Sequence, residues 1–599
     1  MSTNISNTDM YDVVIIGAGA VGSSIARELS KYKLKILVLE KSDDISQGAS
    51  KANSGIVHGG YDEKHGTLKS IVAHQGNQLF PILDKELHFG FKQVGSLVVG
   101  FSEEDEKALQ ALYANGKANG VNRLFILNRE EIIAMEPNIN PNVHSALYCP
   151  DAGITSPYEY TIALAENAIQ NGAEFILNHE VVDIQKLPHK IGYESQVNDE
   201  DDPNAYFLVK TKTTTITTTH VEPQKDTKPD NQPSDPHSPV LRNSFRARFV
   251  INCAGRYSDK VAAMVGVDHF RIIPRKGEYI ILDKSQGHLA NHVLFPLPNK
   301  IIGKGILVSP TFHGNLLLGP TSRSVSADIL ATVPGGNIID QDQSMTNQQV
   351  AQFILNAARH LVPGFNAKMA LTSFSGYRAK TDQYDFIVEE SKVKRFINVA
   401  GIDSPGLTSS PAIAKLVTDI ISGCVLRERI QQRGRALKSK CSSTDEASET
   451  CKNNCATCPS KSVVVGLEPN PNFNPYRNAV IVPKNEDFDG KIDDPNPCKN
   501  IICRCERVTE AEIKDAIHRP LPAHTVDAIK KRTRAGMGFC QGRFCEPRVV
   551  ALISKETGIS EKDIPRRGEG SSILPHKRLT MEDRQLLDKL SNTRVGSKL

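Results

Sequence analysis

Four cysteines near the end of the chain have the spacing of ligands to a metal ion or an iron–sulfur cluster. Cys503 and Cys505 form a C-x-C pair, and after 34 intervening residues Cys540 and Cys545 follow as C-x4-C. Four thiolates suit a [2Fe–2S] cluster, and a zinc site is the alternative that the spacing leaves open. Glycines around the second pair would let backbone N–H groups approach the sulfurs.

A second group of cysteines is less informative. Cys451, Cys455 and Cys458 have ligand-like spacing, with Cys441 upstream, but they lie in a polar stretch rich in Ser, Thr, Lys and Asn. No apolar shell is available there to hold a cluster. We therefore interpret these cysteines as fortuitous or redox-active thiols.

A glycine-rich turn near the start of the chain is typical of a dinucleotide site. Gly17, Gly19 and Gly22 form G-x-G-x-x-G between an apolar strand and a helix. These glycines allow a tight turn, close approach of a pyrophosphate and close packing of helix on strand. Glu40 ends the next strand, where a carboxylate would bind ribose hydroxyls. The turn alone does not decide between NAD and FAD.

The strands that would position this turn are short, apolar and β-branched. Residues 11–17 and 35–40 enclose a helical pattern, which predicts a βαβ unit, and 249–255 and 396–401 are further buried strands that end on glycine. We therefore predict an α/β fold: a Rossmann-type nucleotide-binding domain built from discontinuous segments. An inserted α+β substrate domain should contain a mainly antiparallel sheet, because alternating strand patterns such as 277–283 recur there.

The predicted domain boundaries follow from these patterns. The nucleotide-binding domain comprises 1–75, 150–270 and 370–430, and 211–240 is interpreted as a disordered loop because its Thr-, Pro- and Asp-rich composition cannot form a core. The other predicted regions are a substrate domain at 76–149 and 271–369, a linker with the extra cysteines at 431–497, a cluster domain at 498–562 and a flexible tail at 563–599.

The overall composition excludes some classes of protein. A net charge of +4 on 65.7 kDa does not suggest a nucleic-acid partner, and no run of about 18 apolar residues predicts a membrane span. Because the first core strand begins at Tyr11, we expect no signal or transit peptide. Ser597, Lys598 and Leu599 form a peroxisomal address, so we expect peroxisomal rather than cytoplasmic localisation and recognition by the import receptor.

Several longer segments resemble one family. The chain resembles the D-amino-acid-oxidase-type FAD-dependent oxidoreductases, especially glycerol-3-phosphate dehydrogenase-like members with a C-terminal iron–sulfur domain. The segments that carry this resemblance are GASKANSGIVHGGYDEKHGTLKS (48–70), DAGITSPYEYTIALAENAIQNGAEF (151–175), VINCAG (250–255), KGILVSPTFHGNLLLGPTS (304–322), SGYRAKTDQYDFIVE (375–389) and INVAGIDSPGLTSSPAIA (397–414). Residues 501–513 and 533–545 resemble the bacterioferritin-associated-ferredoxin-like domain, a small helical [2Fe–2S] module.

The resemblance implies FAD as the dinucleotide and [2Fe–2S] as the cluster. A polar loop would lie along the flavin, and a late bend that opens a helix would place positive potential beside the flavin ring. A helix simply capped by Asp403 or Ser404 is compatible with the same bend. The implied cofactor-binding residues, besides Gly17, Gly19, Gly22 and Glu40, are Lys41, Asn53, Ser54, Gly55, Val182, Ala254, Gly255, Gly401, Asp403, Ser404, Gly406, Leu407 and Thr408.

The resemblance also suggests the catalytic residues. Arg378 is the candidate clamp for a substrate anion, since a guanidinium binds carboxylate or phosphate through two hydrogen bonds; an ordinary surface ion pair is the alternative. His58 is the candidate base for the substrate proton, although a lone histidine is often structural. Lys304 and Arg275 are further cations near the expected site.

These features predict an FAD-dependent dehydrogenase that oxidises a small anionic hydroxy compound, with glycerol 3-phosphate as the leading substrate. The electrons would pass through the cluster to a carrier, a quinone or O2. Residues 64–69 also resemble L-2-hydroxyglutarate dehydrogenases, but Leu307 stands where that group commonly has a histidine. L-2-hydroxyacid or amine oxidation with O2 stays an alternative, as does a non-catalytic electron-transfer subunit.

Overall fold

The structure, a computed structural model, describes residues 10–188, 205–213, 243–297, 305–324, 348–441, 466–478, 488–568 and 571. The described residues form two compact units that divide after Asn478. Lys304, the cysteines at 451, 455 and 458, most of the 211–240 segment and the tail from 572 lie outside the described residues.

The first unit contains twenty strands and eight helices among its described residues. The strands are β1 (Met10–Ile16), β2 (Ile36–Leu39), β3 (Ile56–Val57), β4 (Phe91–Lys92), β5 (Ser96–Gly100), β6 (Phe125–Asn128), β7 (Ser145–Cys149), β8 (Gly153–Thr155), β9 (Glu174–Ile176), β10 (His179–Leu187), β11 (Tyr206–Thr213), β12 (Ser244–Asn252), β13 (Ile272–Leu282), β14 (Val293–Pro296), β15 (Leu307–Pro310), β16 (Leu316–Gly319), β17 (Arg323–Ser324), β18 (Ala370–Thr381), β19 (Ile387–Glu390) and β20 (Phe396–Ala400). The helices are α1 (Ala20–Leu29), α2 (Leu68–Leu87), α3 (Glu103–Ala118), α4 (Arg129–Met135), α5 (Pro157–Gln170), α6 (Ser258–Ala263), α7 (Gln348–Leu361) and α8 (Gly406–Cys441).

A parallel sheet forms the nucleotide-binding half of this unit. Strands β9, β2, β1, β12 and β20 run parallel in this order, and the antiparallel strands β10, β11 and β19 extend the sheet. The central strands are buried over nearly their whole length, as expected for a sheet that is covered on both faces. All four strands predicted from apolar runs are present, so this part of the prediction is confirmed.

A nine-stranded sheet forms the substrate half. Its strand order is β17-β13-β16-β15-β14-β5-β7-β6, with β18 on β13, and every pairing is antiparallel except that of β14 with β5. Helix α7 packs its apolar face against this sheet through Ile354 and Leu361. The predicted inserted domain with a mainly antiparallel sheet is therefore confirmed.

Several predicted boundaries are wrong. Helix α2 crosses the predicted limit at residue 75 and packs on α8, so 76–87 lie with the flavin half. Strand β18, assigned to the flavin half, is instead hydrogen-bonded to β13 over eleven residue pairs. Residues 211–213 continue β11 and pair with β10, because the β-branched Thr211 and Thr213 suit a strand.

The predicted linker at 431–497 is also partly wrong. Helix α8 continues to Cys441, and residues 466–478 pack on helices α1, α2 and α5. Arg477 Nε donates to the buried Glu166 carboxylate at 2.6 Å, and Asn470 donates to the carbonyl of Ser30. This segment, named the strap below, therefore belongs to the first unit.

Among the described residues, one helix meets the length and composition criteria for crossing a membrane. It is α8 over Gly406–Glu428, and 61% of its most apolar window is buried inside the structure. This helix packs against α1 and α2 in the same unit. A mostly buried core helix passes the same criteria, so the indication is weak.

The second unit is a small hairpin and helix domain. It contains β21 (Ile501–Cys503), β22 (Val508–Thr509), α9 (Glu510–His518), α10 (Val526–Thr533) and α11 (Glu546–Thr557). The three helices share an apolar core that includes Ile513, Ile529 and Ile553. The described residues of this domain run from 488 to 568, beyond the predicted limits of 498 and 562. At the C-terminal side, the backbone N–H of Asp527 donates to the carbonyl of Arg566 in the predicted tail.

Candidate active site and cluster site

The glycine turn lies where strand β1 meets helix α1. Gly17 has a φ of +103°, and a Cβ there would lie 2.5 Å from the carbonyl oxygen of Cys253 at the end of β12. Gly22 has no room for a side chain either, because a Cβ would lie 2.0 Å from the carbonyl oxygen of Gly17. Both glycines are therefore required by close backbone packing, and α1 begins at the carboxyl edge of the sheet.

The residues around this turn fit a dinucleotide. Both carboxylate oxygens of Glu40 accept backbone N–H groups, from Ala18 at 2.9 Å and from Ser42 at 3.0 Å. A carboxylate has further lone pairs, so it keeps the capacity to accept ribose hydroxyls. The hydroxyl of Ser46 is buried beside the turn and has no hydrogen-bond partner among the described residues. An unsatisfied buried hydroxyl at this place is consistent with a ligand that the protein holds when loaded.

The remaining residues implied for the adenosine end lie around the same edge. Ala254 and Gly255 follow β12, and Lys41 Nζ lies 4.0 Å from the ring centroid of Tyr257. Val182 is 46% exposed and is left out of the β10–β11 register by a bulge between Val181 and Asp183. A bulge leaves backbone groups unpaired, so Val182 could offer them to a base.

The polar loop from Gly48 to Gly55 is built by its own side chains. Asn53 donates to the carbonyls of Ala49 and Ser50 and accepts from the N–H of Gly55, so its amide holds the loop together. Ser50 Oγ accepts from the N–H of Ala20 in the first turn of α1, which ties the loop to the glycine turn. Ser54 is partly exposed beside Asn53. The sequence prediction identified Asn53, Ser54 and Gly55 but missed Ser50.

The late bend from Gly401 to Gly406 is fixed by an ion pair that the sequence did not reveal. Lys69 Nζ lies 2.6 Å from Asp403 Oδ1, and both side chains are nearly buried. The carboxylate of Asp403 is therefore used by Lys69, and the backbone carbonyl of Asp403 accepts from the N–H of Gly406. A cap of the helix by Asp403 or Ser404 stays a prediction, and the ion pair with Lys69 is an additional role of Asp403.

His58 is held between α8 and α2. Its backbone N–H donates to Thr408 Oγ1 at 2.9 Å, and its carbonyl accepts from Asn77 Nδ2 at 2.9 Å. The imidazole lies against Phe295, with ring centroids 5.6 Å apart. These contacts bring His58 and Thr408 together at the start of α8, as the predicted site requires, and they add Phe295, which no sequence motif indicated.

Arg378 lies on β18, on the face that meets the polar loop. A Cβ on Gly376, two residues earlier on the same face, would lie 2.2 Å from the carbonyl oxygen of Ala52 in that loop. The guanidinium of Arg378 donates to Ser322 Oγ and to the carbonyl of Thr321. It also interacts with Tyr279, and burial raises the pKa of that phenol although Arg378 opposes the shift. Within the part of the chain that the structure describes, the hydrogen-bond acceptors of Arg378 are thus neutral oxygens.

The four cysteines of the second unit approach each other in two pairs. Cys503 ends β21 and hydrogen bonds to Cys545, the residue before α11, while Cys505 hydrogen bonds to Cys540. The bond with Cys545 lowers the pKa of Cys503 to about 6 despite burial. Burial raises the pKa of Cys540, but backbone N–H groups of Phe544 and Gly542 outweigh it and the net shift is downward.

This arrangement fits a cluster better than a single ion. Among the described residues, no group of three or more His, Cys, Asp or Glu side chains is placed to hold one metal ion. Two thiol pairs with backbone N–H groups directed at the sulfurs match what a two-iron cluster needs. By contrast, burial raises the pKa of Cys149 in the first unit to about 11, which keeps that thiol protonated.

The glycine turn, the carboxylate after β2 and the late bend define a flavin-type nucleotide-binding protein, and the cysteine pairs add an iron–sulfur module. Residues 12–420 match the family described as FAD dependent oxidoreductase, and the chain belongs to that family. Residues 501–555 match the BFD-like [2Fe-2S] binding domain.

Individual relatives match the same regions. A glycerol 3-phosphate dehydrogenase from Caloramator mitchellensis is 40% identical over 569 residues, which cover 94% of this chain and 98% of that protein. A glycerol 3-phosphate oxidase from Mycoplasma genitalium is 30% identical over 417 residues, 69% of this chain and 94% of that protein. The structure of an L-alpha-glycerophosphate oxidase from Mycoplasma pneumoniae with FAD bound superposes with a TM-score of 0.58 at 26% identity, covering 78% of this chain and 99% of that one.

The chain is thus an FAD-dependent oxidoreductase of the glycerol-3-phosphate dehydrogenase-like type with a [2Fe–2S] domain. The predicted fold class and both cofactors are confirmed, and of the two alternatives that the cysteine spacing left open the family match supports the [2Fe–2S] cluster. Which side chains hold each cofactor stays a prediction that the geometry above supports.

Proposed function

We propose that this enzyme oxidises glycerol 3-phosphate to dihydroxyacetone phosphate and passes the electrons through FAD and the [2Fe–2S] cluster to an acceptor. The observation that carries the proposal is the dehydrogenase relative, whose similarity extends over both units and 98% of its own length. A bound flavin accepts two electrons as a hydride, and a bound cluster hands electrons on singly.

The protein's part in this reaction is to bind, orient and deprotonate the substrate. Arg378 holds the phosphate. Its guanidinium donates to the neutral oxygens of Ser322 and Thr321, so these contacts do not compensate its positive charge, which is available to an anion. His58 is the base that takes the hydroxyl proton as the substrate carbonyl forms, and FAD, when bound, would take up the hydrogen of C2 with its electron pair as a hydride. The hydrogen bonds of the His58 backbone with Thr408 and Asn77 fix the position from which the imidazole side chain extends. Lys304 stays a further predicted contact.

A substrate panel under argon tests this proposal. Glycerol 3-phosphate should bleach the flavin absorbance within seconds, whereas L-2-hydroxyglutarate and sarcosine should not. Bleaching by one of the other two compounds alone would establish hydroxyacid or amine oxidation instead. If no compound bleaches a flavin that dithionite does reduce, the proposed reaction is overturned and a non-catalytic electron-transfer subunit is favoured. Iron and sulfide assays on the same sample report the cluster.

The acceptor is tested by following the electrons after bleaching. We propose a one-electron carrier or quinone, because a cluster relays single electrons. Readmission of air should then reoxidise the flavin slowly, with little hydrogen peroxide, and an artificial one-electron acceptor should restore turnover. Stoichiometric peroxide at a high rate would favour an oxidase.

We further propose peroxisomal localisation on the basis of Ser597, Lys598 and Leu599. A fluorescent fusion to the amino terminus should colocalise with a peroxisomal marker and become diffuse when these three residues are removed. Diffuse fluorescence of the full chain would disprove the proposal.

A further inference from the structure

Two arginines face each other across neighbouring antiparallel strands. The β13–β18 register pairs Arg275 directly with Arg378. Directly opposite residues of an antiparallel pair project to the same face, with Cβ atoms about 5 Å apart, and like charges there are destabilising. The placement of two cations at this position therefore needs an explanation.

Both guanidiniums converge on the short segment between β16 and β17. Arg275 Nη2 donates to the carbonyl of Ser322 at 3.1 Å, and Arg378 Nη1 donates to the hydroxyl of the same residue at 3.1 Å. Arg378 reaches this segment across Gly277, where a Cβ would lie 3.3 Å from its Nη2. The acceptors of both arginines in this segment are thus neutral oxygens.

Neither arginine is in an ion pair with a carboxylate of the described residues. Glu278, the acidic residue of β13, projects to the opposite face, where Thr321 Oγ1 donates to it at 2.7 Å and Arg323 and Lys276 lie beside it. The Nε of Arg275 is buried and has no hydrogen-bond partner there. The two guanidinium charges and one unused donor therefore remain on the Arg275 face, and Lys380, two residues from Arg378 on β18, adds a further cation there.

We propose that Arg275 and Arg378 together form a site for a dianionic phosphate group, and that Arg275 makes the enzyme select phosphate esters over carboxylates. A phosphate monoester carries a charge of about −2 and three acceptor oxygens, which two guanidinium forks can satisfy. A carboxylate has one charge and two oxygens, which Arg378 alone satisfies. The inference rests on the proposed function for the identity of the substrate, but the anion site is defined by the two arginines.

The test compares Arg275→Gln and Arg275→Lys with the wild-type holoenzyme, and uses Arg271→Gln as control because Arg271 is exposed just before β13. Inorganic phosphate and acetate are titrated separately while the flavin absorbance spectrum is followed, and the KM and kcat for glycerol 3-phosphate are measured. Loss of a charge-assisted hydrogen bond should weaken phosphate binding and raise KM about 10- to 100-fold, with kcat within about 3-fold. Acetate binding should change by less than about 3-fold.

Arg275→Lys should lie between wild type and Arg275→Gln, since lysine keeps the charge but not the fork. Arg271→Gln should behave as wild type. The proposal is overturned if Arg275→Gln binds phosphate normally, if phosphate and acetate weaken equally, or if the control variant weakens phosphate to the same degree. If Arg275→Gln does not retain FAD, the phosphate titration of Arg275→Lys decides.

The titration does not require turnover, so the two proposals fail separately. A wild-type flavin that glycerol 3-phosphate does not bleach, together with loss of phosphate binding in Arg275→Gln, would sink the proposed function and leave the anion site standing. A wild-type flavin that glycerol 3-phosphate bleaches, together with a wild-type KM and wild-type phosphate binding in Arg275→Gln, would leave the proposed function standing and sink the anion site.

Discussion

At the scale of single residues, Arg378 has a long and intrinsically flexible side chain that its neighbours hold in place. Its strand is hydrogen-bonded along its length to β13, and its guanidinium meets Ser322, Thr321 and Tyr279. A side chain held in this way is preorganised, so little conformational entropy is lost when it binds an anion. Its contribution should therefore appear in substrate affinity and not in retention of the flavin.

We predict that Arg378→Ala raises the KM for glycerol 3-phosphate by about 100-fold or more, since a bidentate charged contact is lost. The ratio of flavin to protein absorbance should stay at the wild-type value. Steady-state kinetics with an artificial acceptor gives the KM, and Arg378→Lys should recover part of it. Loss of flavin from Arg378→Ala would mean that the side chain supports the cofactor instead.

At the scale of elements, the flavin half depends on how α2 and α8 meet the late bend. Asp385 accepts the N–H groups of Leu68 and Lys69 at the start of α2, and Lys69 then pairs with Asp403 in the bend. The ring of Phe386 lies 4.9 Å from Lys69 Nζ. The first turn of α2 thus positions Lys69, whose positive charge neutralises Asp403 in the late bend.

We predict that Lys69→Met lowers the free energy of unfolding of the holoenzyme by about 3 kcal/mol, because it leaves a buried carboxylate without its partner. Lys69→Met combined with Asp403→Asn should recover much of this loss. Chemical denaturation followed by flavin fluorescence measures both. The matched control is Lys31→Met, whose pair with Glu28 is more exposed and should matter by about 0.5 kcal/mol or less. Equal losses in Lys69→Met and the double variant would argue against a charge effect.

Close packing of the same two helices gives a second prediction. A Cβ on Gly76 of α2 would lie 2.0 Å from the carbonyl oxygen of Thr408 in the first turn of α8. We predict that Gly76→Ala destabilises the holoenzyme by about 2–4 kcal/mol and weakens FAD binding, because the backbones of α2 and α8 must move apart beside the late bend. Thermal unfolding and flavin release measure these effects.

The control for Gly76→Ala is Gly423→Ala in α8, where the nearest atom to a new Cβ is the Arg427 guanidinium at 3.6 Å. That change should be neutral or stabilising by up to about 1 kcal/mol, since alanine is the better helix former. If both variants behave alike, helix propensity and not packing sets the result.

At the scale of the whole molecule, the chain combines two units with separate cores. The strap ends at the boundary of the first unit and pairs Arg477 with buried Glu166, so the first unit includes residues well beyond α8. The Mycoplasma oxidase relative matches 69% of this chain over 94% of its own length. Because the two units have separate apolar cores, we expect the flavin and the cluster to be retained independently of each other.

We predict that Cys540→Ser abolishes the visible absorbance of the cluster but leaves anaerobic reduction of the flavin by glycerol 3-phosphate within about 3-fold of wild type. Four thiolates are needed for the cluster, whereas flavin reduction uses the first unit. Iron and sulfide analysis with stopped-flow bleaching measures both. Cys498→Ser is the matched control, because Cys498 is exposed in the same unit and outside the predicted ligand set. Retention of the cluster in Cys540→Ser would show that the ligand set is wrong.

The sequence by itself determined the parts of this protein that depend on local pattern. Apolar β-branched runs predicted the parallel strands, and the spacing of Gly17, Gly19, Gly22 and Glu40 predicted the dinucleotide turn. Cysteine spacing predicted a metal or cluster site, and the family resemblance selected the cluster. These signals are readable because strand burial, backbone crowding and ligand geometry each constrain residue types a few positions apart.

Only the tertiary structure decided which distant residues meet. The pairing of Lys69 with Asp403 joins residues 334 positions apart, and the Arg275–Arg378 juxtaposition follows from the register of β13 and β18. The packing of the strap on α5 and the pairing of β18 with β13 likewise join residues that are far apart in the sequence. Contacts of this kind depend on the register and packing of whole elements, and a single sequence contains no local pattern that encodes them.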